Sequence, residues 1–146
     1  MENFDKTILN VVNGILNKCE SIQLASITEE GFPRICEMEK IYSENIYEII
    51  MATSNNSQKI NHFLKNNKAS IGFSDENNSI SLMGFIEIEN IENIKEKMGN
   101  NIDPERWFEK NKNGDYYFCG LRFKLKKARL FINGKQYDYE NNIIKM

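Results

Sequence analysis

Histidine occurs once in these 146 residues, tryptophan once and cysteine three times, and each scarcity removes a class of chemistry. With His62 alone, a catalytic triad or a multi-histidine metal centre would hang on one residue, and on the polar side of its segment it reads as an exposed helix position. Cys19, Cys36 and Cys119 are odd in number and widely spaced. That fits neither a disulfide framework nor a Cys-x-x-Cys metal knuckle, so they read as reduced thiols packed as small apolar groups, and no metal is expected. No apolar run approaches the roughly 18 residues of a membrane-spanning helix. The acidic opening Met-Glu-Asn-Phe-Asp lacks the basic start and apolar stretch of a signal peptide. The expectation is a cytoplasmic protein with no membrane partner. Basic excess is missing too: 19 Lys and Arg are scattered among 21 Asp and Glu, for a net charge of −2. A nucleic-acid partner is therefore disfavoured.

What is present is 40% apolar and 27% charged residues in a length that encloses one core, which predicts a single globular domain over 1–146. Phe4, Ile8, Val11, Val12, Ile15 and Leu16 recur at three- and four-residue steps, an amphipathic helix. From Ile22 the period becomes strand-like. Residues 22–28 and 34–42 are joined by residues 29–33, whose Gly31 and Pro33 suit a hairpin loop, and residues 43–45 read as a second turn. Residues 46–52 are apolar on both alternating faces except at Glu48, as expected of a strand covered on both sides. A barrel of this size can cover the second face only by using a neighbouring copy, which predicts a homodimer.

Residues 57–66 read as a short helix with Ser57 as N-cap and Ile60, Phe63 and Leu64 on one face. Ala69, Ile71 and Phe73, then Ile80, Leu82, Ile86 and Ile88, form a hairpin about the 75–78 turn. Helices are expected at 91–98, stopped by Gly99, and at 104–112, where Asp103 can cap and Pro104 fits the first position. Leu121, Phe123 and Leu125 alternate as one strand, and residues 128–132 pair back before the Asn133-Gly134 turn. Six or seven short antiparallel strands with helices at the ends and crossovers make the fold mainly β, a barrel.

Chemistry concentrates in Thr53-Ser54-Asn55-Asn56-Ser57-Gln58-Lys59, a polar turn between a buried strand and a helix. Lys59 falls in the first helical turn, where a cation opposes the helix dipole by about 0.3–1 kcal/mol unless an anion is bound. Free helix amides, the Thr53 and Ser57 hydroxyls and the Lys59 ammonium together form a phosphate cradle. The alternative is an ordinary capped helix with Lys59 in water.

The run Gly31-Phe32-Pro33-Arg34, Met38, residues 47–53, Ser57-Gln58-Lys59, Asn67-Lys68-Ala69-Ser70 and Leu82-Met83-Gly84 resembles the pyridoxamine-phosphate-oxidase-like FMN-binding split barrels. It is most similar to the small proteins related to general stress protein 26, over roughly residues 12–134. The resemblance implies a flavin phosphate held by Ser57 and Lys59, with Gln58 in place of the oxidases' Arg. It further implies a ring edge along Cys36, Glu37, Met38 and Glu39, partly through backbone groups. Ala52 and Thr53 would complete that wall, and Ser79 or Ser81 would reach in from the other subunit. Arg34 is the next candidate for the phosphate. Trp107 is a flavin-facing aromatic on this reading and a packing residue otherwise. Cys36 stands where the oxidases carry an Arg, and Ile41 where they carry a substrate-binding Lys; their Arg- and Trp-containing C-terminal segment has no counterpart after Phe131. Oxidation of pyridoxamine phosphate is not expected.

Two functions remain open from sequence. One is an FMN-dependent oxidoreductase passing electrons from a reductant such as NAD(P)H to a small acceptor; the flavin would carry the chemistry, which accounts for the lack of an acid, base or nucleophile constellation. The other is a non-catalytic flavin-binding or stress-sensing protein. A barrel without cofactor would leave the donor-rich turn unexplained.

Overall fold

The computed structural model describes residues 6–98 and 104–141. Helix α1 (Lys6–Lys18) leads into strands β1 (Ser21–Ile27), β2 (Pro33–Asn45) and β3 (Glu48–Ser54). Helix α2 (Gln58–Lys65) precedes β4 (Lys68–Ser74) and β5 (Ser79–Asn90). Helix α3 (Ile91–Met98) and the single turn α4 (Pro104–Trp107) follow, then β6 (Phe118–Ile132) and β7 (Lys135–Glu140). The strands lie in the order β3-β2-β1-β4-β5-β6-β7, every pair antiparallel, and β3 also pairs with β6. Six strands thus close a barrel and β7 extends it. Closure removes the free edges that an open sheet exposes.

The alternation read from sequence is the alternation that fills the interior. Ile22 and Leu24 of β1 lie opposite Met38 and Cys36 of β2, and Leu24 also faces Ile71 of β4. With Ile49, Met51, Leu82, Leu121 and Phe123 these side chains form one core, under which Val12, Ile15 and Leu16 of α1 pack. Asn133 and Gly134 both take positive φ, 52° and 80°, as the two-residue turn between β6 and β7 requires.

Several sequence expectations are corrected. The second turn falls at Ile46 and Tyr47, not at 43–45, because Ile46 is drawn into the core at 0% exposure and its amide donates to Asn13 Oδ1 of α1. Residues 118–132 are one strand, not two pairing back on each other. An extra residue, Lys126, lets both halves pair with β5, Gly84 opposite Leu125 and Met83 opposite Lys127. The expected 104–112 helix stops after one turn, because Asn111 Oδ1 accepts from the amides of Asn113 and Asp115 and closes a tight loop instead. Phe4, Gly99 and Asp103 lie outside the described residues.

The most consequential difference concerns β3. Its outer face is covered within the chain: Ile50 packs with Ile91 and Ile94 of α3, and Ile41, Tyr42, Trp107 and Phe108 close around them. The reason that the apolar pattern offers for a dimer, an uncovered second face on this strand, is thereby removed.

Candidate functional site

The polar turn expected to cradle a phosphate is built as a cap. Ser57 takes an extended conformation, its amide donates to the Ser54 carbonyl at 2.9 Å, and its Oγ accepts from the Lys59 amide at 3.3 Å. The loop is braced from outside the helix by the Asn55 amide, which donates to the Tyr117 carbonyl at 3.0 Å. No acidic residue occupies the first turn of α2, and among the described residues no carboxylate lies within ion-pair distance of Lys59. Lys59 is thus half-buried in the first turn of a helix whose Lys59 and Ile60 amides are taken up by Ser57, with no carboxylate there to offset its charge, an arrangement that an anion at the positive end of the helix dipole completes.

The other expected residues are distributed over several surfaces. Thr53, opposite Cys119, is buried in the barrel wall at 6% exposure. Ala52, equally buried, lies opposite Gly120 on the face that α3 covers. Cys36 and Met38 face the interior with Leu24 and Ile22, so either would meet a ring at the β2 surface only through its backbone. Glu37 and Glu39 take the outer face, which resolves the ambiguity of their strand: the Ser21 hydroxyl donates to Glu37 at 3.0 Å, and Arg106 pairs with Glu39 at 2.8 Å. Both line a polar cleft of about 740 Å³ together with Lys40, Tyr42 and Arg106. Burial lowers the Lys40 pKa, so the charged ammonium is held there against desolvation.

Arg34 and Gln58 meet in a second cleft, of about 290 Å³, between α2 and the β1–β2 hairpin, which Lys59 does not line. Ser79 and Ser81 are exposed on the outer face of β5, and Ser81 borders a third hollow with Met83 and Arg129. Trp107 stands edge-on to Phe118 at 5.3 Å with the Arg106 guanidinium 4.9 Å from its ring centre. That geometry is packing within the chain.

His62 is the residue that periodicity misplaces. It is 9% exposed, not in solvent, and its Nδ1 lies 3.1 Å from the hydroxyl of Ser26, itself 2% exposed. Leu64, expected on the buried face, is 73% exposed. A pattern that counts only apolar residues cannot see this exchange, because the hydroxyl that satisfies the imidazole comes from Ser26 on β1, outside the helix. Among the described residues no group of three His, Cys, Asp or Glu side chains is placed to hold a metal ion, and no helix is long and apolar enough to cross a membrane.

A six-stranded antiparallel barrel with one added strand, capped by short helices and carrying a donor-rich turn at a helix start, has the architecture of a split β-barrel. Comparison with solved structures places the fold among the pyridoxamine 5'-phosphate oxidase-like split barrels, as the motif spacing implied. The chain is similar to a Clostridium acetobutylicum protein related to general stress protein 26 of B. subtilis, of the pyridoxinephosphate oxidase family. That match has a TM-score of 0.77 and 19% identity over 94% of this chain and 96% of that one. A pyridoxamine 5'-phosphate oxidase-related, FMN-binding protein from Nostoc punctiforme superposes at 0.70, with 12% identity over 97% and 94% of the two chains. A heme binding protein from Mycobacterium smegmatis superposes at 0.68, with 12% identity over 95% of this chain and 60% of that one. At these identities the likeness is one of fold. No family model matches the sequence, and no curated protein matches it.

Proposed function

We propose that the chain is an FMN-binding flavoprotein, an oxidoreductase that passes electrons from a reductant such as NAD(P)H to a small acceptor. The carrying observation is Lys59 in the first turn of α2, directly after the Ser57 cap, in a turn with no acidic residue and with no carboxylate within ion-pair distance among the described residues. FMN supplies the electron-transfer chemistry when bound; the chain binds it, orients it and limits access to it. Ser57 and Lys59 would take the phosphate. The β2 backbone beside Glu37 and Glu39 would meet the ring edge, with Ser79 or Ser81 contributed by the other subunit. Pyridoxamine phosphate is a poor substrate on this reading: Cys36 points inward and Ile41 packs in the apolar cluster under α3, so neither position offers a cation to a substrate phosphate.

Lys59→Ala is expected to weaken FMN binding by the value of a charge-assisted hydrogen bond, about 1.5–3 kcal/mol or roughly 10- to 100-fold. Riboflavin, without the phosphate, should bind wild type and variant alike, and the thermal midpoint of the cofactor-free protein should stay the same or rise slightly. Titrating both proteins with both flavins checks all three outcomes. An unchanged FMN affinity would remove Lys59 from the site. A yellow purified protein whose flavin is reduced anaerobically by NADH or NADPH supports the oxidoreductase; bound flavin that neither nucleotide reduces supports the sensing alternative. A Soret band in place of the flavin spectrum would instead point to heme.

The same reading includes a cytoplasmic homodimer with FMN at the subunit interface, formed through a surface other than the outer face of β3. Phe32 and Ile35 are each 69% exposed and Met83 is 49% exposed, on the hairpin and on the outer faces of β2 and β5. Large apolar side chains grouped on one sheet face mark an interface. Light scattering is expected to report about twice 17.1 kDa for wild type and 17.1 kDa for Ile35→Glu. A monomeric wild type that binds FMN would overturn this part.

A further inference from the structure

The outer sheet face around Met83 holds a recess of about 450 Å³ that belongs neither to the Ser57–Lys59 cradle nor to the ring edge along β2. Ile35, Ala25, Ser70, Met83 and Lys127 lie side by side across β2, β1, β4, β5 and β6. Ala25 and Ser70 are small between taller apolar neighbours, so the row dips at its centre. Ile27, Pro33 and Phe85 add hydrocarbon walls.

Charge around the recess is of one sign. Lys68, Lys126 and Lys127 line it and no acidic residue does. Lys126 is paired with Glu140 at 3.6 Å, whereas Lys68 and Lys127 have no carboxylate within ion-pair distance among the described residues. The doubled lysine is a product of the β6 bulge. Two residues stand between the core side chains of Leu125 and Ala128 where a regular strand has one, so consecutive lysines reach the same recess.

We infer that this recess binds a small amphipathic acid, a hydrocarbon body ending in a carboxylate or a phosphate ester. The body rests on Ile27, Met83 and Phe85. The anionic group is drawn to the ammonium groups of Lys68, opposite Phe85 on β4, and Lys127, opposite Met83 on β6, which flank β5 from its two sides. An apolar floor with a few convergent charges, at this volume, is the ordinary form of a small-molecule site. Charge complementarity selects the occupant. A second copy meeting this face about a two-fold axis presents the same lysines and no counter-charge, so it contacts the taller Ile35 and Met83 and leaves the recess to an anion. The inference therefore stands with or without the flavin reading.

Calorimetric titration with 2-naphthoate, 2-naphthyl phosphate and the uncharged 2-naphthylmethanol tests it. Wild type is expected to bind at least one of the anions saturably, about tenfold or more tighter than the alcohol, and the better anion identifies the headgroup class. In a Lys68→Gln, Lys127→Gln double variant that advantage should shrink to about twofold, with affinity for the alcohol unchanged. Both lysines are exposed, so the core is untouched. Ser70→Leu, which fills the dip and keeps both lysines, should lose all three ligands. Lys59→Ala and FMN-saturated protein should bind the anions as wild type does. An anion bound no more tightly than the alcohol overturns the inference, as does an advantage that survives the double variant. Loss of anion binding in FMN-saturated protein also overturns it, because the recess would then belong to the flavin. A chain that binds no FMN removes the flavin reading and leaves the titrations without flavin as the test.

Discussion

Replacing Gly84 with alanine is expected to destabilise the protein by about 3 kcal/mol or more, at the upper end of overpacking effects. Gly84 lies on β5 where the register against β6 shifts, and the two strands approach closely there. A Cβ on Gly84 would stand 2.0 Å from the Lys124 carbonyl oxygen and 2.8 Å from Cζ of Phe123. The ring could turn aside, but the carbonyl belongs to the barrel wall and can move only with β6. Gly72, on β4, is the control: a Cβ there meets nothing nearer than the Ile80 carbonyl oxygen at 3.9 Å, an ordinary contact. Gly72→Ala should change stability by no more than about 0.5 kcal/mol. Urea unfolding of the two variants measures the difference, and equal midpoints would show that the close approach of β5 and β6 is wrong.

Glu89→Ala is expected to lower stability by about 3 kcal/mol, and by more than Arg122→Met does. Arg122, on the outer face of β6, is 5% exposed, and its Nη2 donates to Glu89 Oε2 at 2.6 Å. Its Nε makes no hydrogen bond; the Glu48 carboxylate is 3.7 Å away, within ion-pair range but too far for a bond. Removing Glu89 therefore leaves a buried guanidinium with one distant, half-exposed counter-charge. Removing the guanidinium has a different result. Glu89 retains some exposure to water and lies 3.8 Å from Lys97, while methionine fills much of the volume that the arginine stem occupied. Thermal or denaturant melts of both variants give the ordering, and a larger loss in Arg122→Met would refute the account.

Much of the site was legible because its signals are local. Ser57 as a cap, Lys59 in the first turn and the Asn133-Gly134 hairpin follow from backbone chemistry within a few residues, and the structure has all three. Cys36 and Met38 against Glu37 and Glu39 were only half legible. Alternation puts the pairs on opposite faces, but it does not say which face is inside until β1 and β4 are laid beside β2. His62 was misplaced for a related reason, since its partner is 36 residues away.

By itself, then, the sequence determined the parity of each strand, most of the helix and turn positions, and the donor-rich start of α2. These depend on φ/ψ preferences, capping and the two- and 3.6-residue periods, all of them short-range. Only the tertiary structure decided that β3 closes the barrel against β6, that Lys126 lets residues 118–132 run as one strand, and that α3 and α4 cover the second face of β3. Periodicity reports that a face is apolar; what covers it depends on contacts between residues far apart in the chain, and a helix of the same chain satisfies that requirement as well as a second subunit would.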